Sequence, residues 1–303
     1  MRDSTILIPR RAIMYLAAAS FAGAVLPRAW ATKSNVRKKR TVLFYSKSSG
    51  FEHDPVKPRG RHSSLAERTL TAIGDRYGFE VFATKDGRVF DGDLARHDAF
   101  FFFTTGDLTE AGTDGNPPMS ANGKEALLAA IRGGKGFVGV HSASDTFHSK
   151  GSAFEIQQNK DPYIAMLGGE FISHGKEQQG RVRVIDPHFP GLIGSGESFR
   201  VMEEWYSLKN FADDIHVLLV LETEGMQGAE YRRPPFPLAW ARREGLGRVY
   251  YNAMGHRQDV WTSRRFQEMV AGALLWATGA ADADLTPNMT DVTPQASVMP
   301  PHE

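Results

Sequence analysis

The chain has 303 residues and no cysteine, and its 36 Lys and Arg nearly balance its 35 Asp and Glu. The absence of cysteine excludes disulfides, thiolate nucleophiles and cysteine-ligated metals. A net charge of +1 offers no electrostatic basis for binding nucleic acid. A chain of this length can bury roughly three quarters of its unfolded surface, so it can hold itself together by its core alone.

The first 31 residues have the pattern of a secretory signal. Arg10 and Arg11 precede an apolar stretch at 12–26, and Ala29-Trp30-Ala31 supplies a small-x-small cleavage site. The paired arginines and the alanine-rich apolar stretch favour the twin-arginine export route. The rival interpretation is a membrane anchor, but an apolar run of about 15 residues is shorter than the roughly 20 that span a bilayer.

We therefore predict cleavage after residue 31 and a periplasmic or secreted mature protein with no stable membrane insertion. The removed segment holds four arginines and one aspartate, which leaves the mature chain with a net charge near −2. Residues 32–40 are then a basic lead-in to the fold.

Strands and helices alternate through the next hundred residues. Strands are predicted at 41–45, 79–83, 99–104 and 137–140, helices at 63–77 and 123–132, and a loop at 111–122. The strands are short apolar runs, which is typical of strands buried on both faces of a parallel sheet. This alternation implies right-handed crossovers and a three-layer α/β domain with a mostly parallel central sheet.

The second half of the chain is less regular. A partly helical stretch is predicted at 154–167, strands at 181–186, 199–202 and 217–221, a hairpin at 238–242 and 248–252, and a helix at 266–277. From residue 280 onward the chain has few large apolar residues and several prolines. This composition predicts that 280–303 is a disordered tail.

Polar residues follow several of the predicted strands. His53 comes after the first strand, Asp107 after the Phe-rich strand, His141 after the central strand and His256 after the last. In open α/β sheets, ligands bind beyond the carboxyl ends of the strands, so these side chains are candidates for one site. Further candidates are His174, Glu203, Glu204, Trp205 and Tyr206. Histidines and carboxylates together can bind a divalent metal or act as general acid and base.

The spacing of these residues alone is a weak signal, because it matches no fixed metal-binding motif. Since side chains alternate along a strand, at most one of Glu203 and Glu204 should face a pocket. Trp205 and Tyr206 can belong to the core or stack on a sugar. His97 and His216 are expected at the surface, and each candidate taken singly is more often structural than chemical.

Five segments resemble ThuA-like domains, and they occur in the order of that family. They are 134–145, 167–174, 203–206, 237–240 and 247–256. ThuA-like domains are named for trehalose utilisation and are similar in fold to class I glutamine amidotransferases. The resemblance implies a flavodoxin-like, three-layer α/β/α domain over residues 41–279.

The resemblance also implies a site and excludes one activity. The family's polar constellation falls on His53, His141, His174, Glu204, Tyr206 and His256. Class I amidotransferases carry a cysteine nucleophile within Gly-x-Cys-x-Gly, but residues 139–143 here read Gly-Val-His-Ser-Ala. An imidazole cannot form the glutamyl thioester, so the chain is not a glutaminase.

The leading hypothesis is an exported enzyme, a hydrolase, lyase or isomerase, that acts on a carbohydrate or modified sugar. His141 and Glu204 are its expected acid/base pair. His174 and His256 are expected to bind zinc or manganese, or to orient hydroxyl groups. The residues expected to contact the substrate are His53, Asp107, Trp205 and Tyr206.

Two alternatives stay open. The first is a non-catalytic periplasmic sugar-binding domain that uses the same pocket. The second is a serine hydrolase using Ser142, which is disfavoured because the Gly-x-Ser-x-Gly pattern of such enzymes does not surround this serine. The oligomeric state does not follow from the sequence.

Overall fold

The computed structural model describes residues 39–302. The predicted signal at 1–31 and the lead-in as far as residue 38 lie outside the described residues. Within 39–302, no helix is both long enough and apolar enough to cross a membrane.

The described chain alternates strands and helices in its first half and is richer in strands in its second. The strands are β1 (Arg40–Tyr45), β2 (Phe79–Thr84), β3 (Ala99–Phe102), β4 (Gly136–Val140), β5 (Glu170–His174), β6 (Gln178–Val184), β7 (Ser198–Glu203), β8 (Tyr206–Lys209), β9 (His216–Glu222), β10 (Phe236–Glu244) and β11 (Gly247–Asn252). The α-helices are α1 (Leu65–Tyr77), α2 (Ala121–Arg132), α3 (Pro162–Leu167), α4 (Gln258–Thr262), α5 (Arg264–Ala277) and α6 (Met289–Val292).

Nine strands form one sheet in the order β2-β1-β3-β4-β11-β10-β9-β6-β7. The pairs from β2 to β11 are all parallel, and the four strands beyond β11 continue the sheet with antiparallel pairing. The predicted β10–β11 hairpin is confirmed. Strands β5 and β8, which the sequence analysis did not predict, form a separate antiparallel pair.

The strand order places helices on both faces of the sheet. The chain moves from β1 outward to β2 through α1, and from β3 in the opposite direction to β4 through α2. Right-handed crossovers in opposite directions put α1 and α2 on opposite faces. Helices α4 and α5 pack with α1, whereas α3 packs with α2. The predicted three-layer, flavodoxin-like α/β fold is confirmed.

Local sequence determines where α1 begins and ends. Ser64 caps its first turn by accepting a hydrogen bond from the Glu67 backbone N–H at 3.2 Å. Leu70 and Ile73 are buried on its inner face. Gly78 ends the helix with φ at +83°, in the left-handed region that glycine adopts without steric cost.

Two histidines expected at the surface are buried. His97 packs edge-on against the rings of Phe82 and Phe100. His216 contacts the Thr286 carbonyl at 2.7 Å and an oxygen of Asp186 at 3.2 Å. Neither environment could be read from the local sequence, because the partners lie far away along the chain or on another element.

The segment 280–302 packs on the domain, so the expectation of a disordered tail requires correction. The Asn288 side chain accepts a hydrogen bond from the Val217 N–H at 2.7 Å and donates one to the Val217 carbonyl at 3.2 Å. The buried Arg233 guanidinium donates to the Ala296 carbonyl at 2.6 Å. The segment is poor in apolar residues, but a few polar anchors and the buried Met289 attach it to β9 and its neighbours.

Replacing Asn288 by alanine should destabilise the domain by about 1–3 kcal/mol, because it leaves the backbone groups of Val217 without these partners. Urea denaturation of the two proteins measures the difference in unfolding free energy. The exposed substitution Thr290→Ala in the same segment is the matched control and should change it by less than about 0.5 kcal/mol. Equal effects of the two substitutions would contradict this account of the tail.

Candidate functional site

Four polar side chains converge at the carboxyl edge of the parallel strands. His53 lies in the loop after β1, His141 directly follows β4, and His256 lies shortly after β11. Glu204 directly follows β7, from the antiparallel part of the sheet. One potential ligand atom from each of these residues lies within 4.8 Å of all the others.

His141 occupies a sharp turn between β4 and the short helical turn that follows it. Its φ of +45° lies in the left-handed region, which non-glycine residues adopt only when their surroundings impose it. The fully buried ring places Nδ1 3.0 Å from the Ala253 carbonyl oxygen. Because a carbonyl only accepts, Nδ1 carries the proton and Nε2 keeps its lone pair. That lone pair is directed toward Glu204, whose Oε2 is 3.5 Å away.

The Glu204 carboxylate lies at the centre of the histidines. Its Oε2 is 3.1 Å from Nδ1 of His256, and its Oε1 is 3.1 Å from Nδ1 of His174. The second ring nitrogen of His256 lies 3.3 Å from Oε1 of Glu177. A carboxylate on the outer nitrogen of a histidine is the usual arrangement that orients an imidazole toward a metal.

Glu203 and Glu204 occupy different environments, as strand alternation predicts. Glu204 faces the histidines, whereas Glu203 is completely buried behind them. The Glu203 carboxylate accepts hydrogen bonds from the backbone N–H groups of Glu204 and Gly255. Burial raises the pKa of Glu203 to about 7, although these two hydrogen bonds oppose the shift.

The charge states of His53, His141 and Glu204 suit a cation. Burial lowers the pKa of His53 and of His141 below the usual histidine value, so both rings are neutral near pH 7. Burial by itself would raise the pKa of Glu204, but contacts with His141 and His256 hold it far below its usual value. Burial would lower the pKa of His256, but the contact with Glu204 outweighs it and the pKa is raised. Neutral imidazoles and an ionised carboxylate are the forms that bind metals.

Two nitrogen atoms of the cluster lack the hydrogen bonds that buried polar atoms normally make. His141 Nε2 and His256 Nδ1 are buried and close to Glu204, but neither contact has hydrogen-bond geometry. Tetrahedral ligands on metal–nitrogen bonds of about 2.1 Å are separated by about 3.4 Å. The ligand atoms of the cluster lie within 4.8 Å of one another, so the side chains must draw closer by up to about 1.4 Å to enclose a cation.

His174 and Tyr206 flank this cluster without belonging to the set of four. They are paired across β5 and β8. The Tyr206 ring centroid lies 4.1 Å from that of His141, and its hydroxyl is 3.5 Å from His53 Nε2. The predicted metal ligand His174 contacts the cluster through Glu204 only and keeps 44% of its side chain exposed.

Two residues expected to contact substrate lie elsewhere. Trp205 is completely buried against Gly180, and its Nε1 donates to the Gln178 carbonyl at 2.9 Å, so neither face is open to a ligand. Asp107 is exposed and accepts hydrogen bonds from Thr109 in a local turn. The structure therefore removes both from the group of converging side chains.

A cleft adjoins the cluster, and the sequence pattern gave no sign of it. This cleft has a volume of about 420 Å³ and is bordered by His256 at its inner side. Its other lining residues are Phe51, Asp54, Glu177, Arg257, Gln258 and Asp259. Phe51 keeps 64% of its surface exposed and packs edge-on against His53. Local pattern could not reveal the cleft, because its walls come from three segments that are distant in sequence.

Comparison with known proteins decides the family. A sequence profile described as ThuA, trehalose utilisation, matches residues 41–277. The chain belongs to the ThuA family. No curated protein matches the chain significantly.

Two solved structures show the same fold as this ThuA-family chain. A ThuA-like protein from Bacteroides uniformis is 18% identical, with a TM-score of 0.54, and the match covers 78% of this chain and 91% of the other. A ThuA-like protein from Parabacteroides merdae is 15% identical, with a TM-score of 0.56, and the match covers 82% and 94%. At these identities the likeness establishes the fold alone.

A second polar network, also missed by the sequence analysis, lies beside the site. His148 contacts Asp145 at 2.7 Å and Glu170 at 3.2 Å. The bonds to these carboxylates raise the pKa of His148 to about 9. Burial would raise the pKa of Glu170, but hydrogen bonds from His148, Ser149 and Asn210 lower it to about 2.

This network predicts a pH dependence of stability. The charged His148 contributes fully below pH 6.5, and its contribution is lost as the pH rises toward 9. The ionised Glu170 contributes fully above pH 4.5, and its contribution is lost as the pH falls toward 2. The difference in unfolding free energy between wild type and His148→Gln should therefore be largest between pH 4.5 and 6.5. The effect is modest, since His148 keeps 44% of its side chain exposed.

Urea denaturation at a series of pH values measures this difference. His188→Gln, at an exposed histidine in a turn, is the control and should change the stability by less than about 0.5 kcal/mol. A wild-type advantage over His148→Gln that stays constant from pH 5 to above pH 9 would rule the interpretation out.

Proposed function

We propose that His53, His141, Glu204 and His256 hold a divalent cation, zinc or manganese, and that the protein uses it to act on a carbohydrate or modified sugar. One observation carries the proposal: four ligand atoms lie within 4.8 Å, and two of the nitrogens make no hydrogen bond. Imidazole and carboxylate together suit these metals. A cation at this position supplies Lewis-acid polarisation to an oxygen atom of a substrate.

The surrounding groups support the proposal because they orient the ligands. The Ala253 carbonyl holds the Nδ1–H of His141, so that Nε2 faces the cluster. Glu177 contacts Nε2 of His256, so that Nδ1 faces Glu204. Outer groups of this kind determine the tautomer and the direction of a ligating ring.

These assignments change the roles first expected for three residues. His141 and Glu204 become ligands instead of the acid/base pair, and His174 becomes the proton-transfer group. His174 is partly exposed, and its Nδ1 lies 3.1 Å from Glu204 Oε1. It can therefore meet both a bound substrate and the carboxylate at the centre of the cluster.

The adjoining cleft supports a sugar as the substrate. Its walls carry Asp54, Arg257, Gln258 and Asp259, which offer donors and acceptors for hydroxyl groups. The exposed ring of Phe51 offers an apolar face on which a sugar ring can stack. The family name refers to trehalose utilisation, and the signal predicted at residues 1–31 supports an activity outside the cytoplasm.

Purified mature protein should contain about one divalent cation per chain when it is produced with zinc and manganese available. His53→Ala, His256→Ala and Glu204→Gln each remove a ligand and should weaken cation binding by more than about 100-fold, beyond the usual cost of losing an outer-shell group. Elemental analysis and titration calorimetry provide the measurements.

The matched control is His188→Ala, at an exposed histidine far from the cluster in sequence, which should bind the cation like wild type. A wild-type protein that takes up neither metal would refute the cation site. Equal losses in His188→Ala would show that binding does not depend on the cluster.

Turnover of sugars separates an enzyme from a binding domain. Metal-loaded protein should convert at least one member of a panel of disaccharides and modified sugars that includes trehalose. His174→Ala should lower the rate by about 10²–10⁴-fold while leaving the cation content unchanged, because a proton-transfer group is removed and no ligand is lost. Product formation is followed by chromatography.

Affinity for a sugar without any turnover would favour the sugar-binding domain instead. Ser142→Ala tests the serine alternative. The Ser142 hydroxyl is buried and makes no hydrogen bond, so it has no base to activate it. Turnover should survive this substitution, and its loss would return the serine mechanism to consideration.

A further inference from the structure

Glu203 connects two parts of the site that are distant in sequence. Its carboxylate is completely buried, and Oε1 accepts the backbone N–H of Glu204 at 2.9 Å. Its other oxygen, Oε2, accepts the backbone N–H of Gly255 at 2.9 Å, 52 residues further along the chain. Glu203 is not one of the four residues whose ligand atoms converge, so it does not reach the cation position.

The two backbone amides that donate to Glu203 lie at, or directly before, two of the proposed ligands. One amide is that of Glu204 itself, and the other is that of Gly255, which directly precedes His256. Both lie beyond the ends of their strands, because β7 ends at Glu203 and β11 at Asn252. The hydrogen bonds between strands therefore do not hold these two amides in place.

Gly255 has a conformation that needs such support. Its φ is +129°, which L side chains rarely adopt. Its carbonyl accepts a hydrogen bond from Trp261 Nε1 at 2.8 Å, while its N–H donates to Glu203. With both backbone groups bonded, the direction in which His256 leaves the loop is determined.

We infer that Glu203 is a positioning residue, which sets the separation of Glu204 and His256 by binding the backbone on both sides. The inference rests on the proposed function, since it concerns the ligands of the proposed cation. Burying a carboxylate is costly, and both oxygens of this one bond to backbone at the site. A glutamine in its place offers only one acceptor oxygen for the two N–H groups, so one of them must lose its partner.

The test compares wild type with Glu203→Gln and Glu203→Ala in the full mature chain. Zinc and manganese affinities are measured by calorimetry. Glu203→Gln should weaken cation binding by about 10- to 100-fold, which is typical when an outer-shell group of a metal site is lost. Glu203→Ala should weaken it at least as much. Hydrogen exchange of the metal-free proteins should be faster at one of the two amides, that of Glu204 or that of Gly255, in Glu203→Gln and at both in Glu203→Ala.

Glu170→Gln is the matched control. Glu170 is also a buried carboxylate, and it accepts a backbone hydrogen bond from Ser149, but it does not belong to the cluster. This variant should lose stability while its cation affinity stays within about twofold of wild type. The hydrogen bonds that it loses do not involve the proposed ligands. Reduced cation affinity in the Glu203 variants, together with unchanged affinity in Glu170→Gln, separates positioning from a general loss of stability.

Wild-type cation affinity in folded Glu203→Gln would overturn the inference and leave the proposed function intact. If wild type itself bound no cation, the proposed function would fall, and exchange in the metal-free proteins would decide the role of Glu203. Loss of protection at one of these amides in Glu203→Gln and at both in Glu203→Ala, with no loss in Glu170→Gln, would then support the positioning role. Unchanged protection would overturn it.

Discussion

The contact of one carboxylate with three imidazoles organises this site. Glu204 lies 3.1–3.5 Å from ring nitrogens of His141, His174 and His256. Burial makes an ionised carboxylate costly unless its neighbours compensate, and the contact with His256, whose pKa is raised, supplies that compensation. The same arrangement leaves His141 Nε2 and His256 Nδ1 buried without hydrogen bonds, and this is the observation on which the proposal of a cation rests.

The sheet makes this contact possible. Strands β1, β4 and β11 lie in the parallel part of the sheet, so the loops that carry His53, His141 and His256 emerge at one edge. Glu204 arrives from β7, at the far end of the antiparallel extension. Tertiary folding alone thus brings the carboxylate to the histidines. The Glu203 side chain accepts hydrogen bonds from the backbone of Glu204 and from that of Gly255, in the loop that carries His256.

The turn at His141 shows how a shared fold can carry different chemistry. Class I amidotransferases, which the family resembles in fold, use the strand-to-helix turn to present a cysteine nucleophile. In this chain the strand-to-helix turn has a left-handed backbone at His141 and presents an imidazole. The nitrogen that faces the site is a ligand or a base, and no thioester can form there.

Prediction from the sequence succeeded where local forces decide the outcome. Apolar runs such as 99–104 must be buried, and Ser64 and Gly78 bound α1 by capping and by a positive φ, so most strands and helices of the parallel half were foreseeable. Prediction failed where a partner is distant. Trp205 could not be distinguished from a ligand-stacking residue, because its burial depends on Gly180 in another strand. The segment 280–302 lacks apolar content of its own, yet Asn288 attaches it to the backbone of β9.

By itself the sequence determined the fold class, the absence of thiol chemistry and the strand ends from which the histidines emerge, because periodicity, composition and parallel crossovers are properties of the chain. Only the tertiary structure decided that His53, His141, Glu204 and His256 meet. It also decided that His174 lies beside them and that Asp107 and Trp205 lie outside this cluster. Distances between loops depend on strand order and on the hydrogen bonds that fix each loop. Neither is encoded in the spacing of residues along the chain.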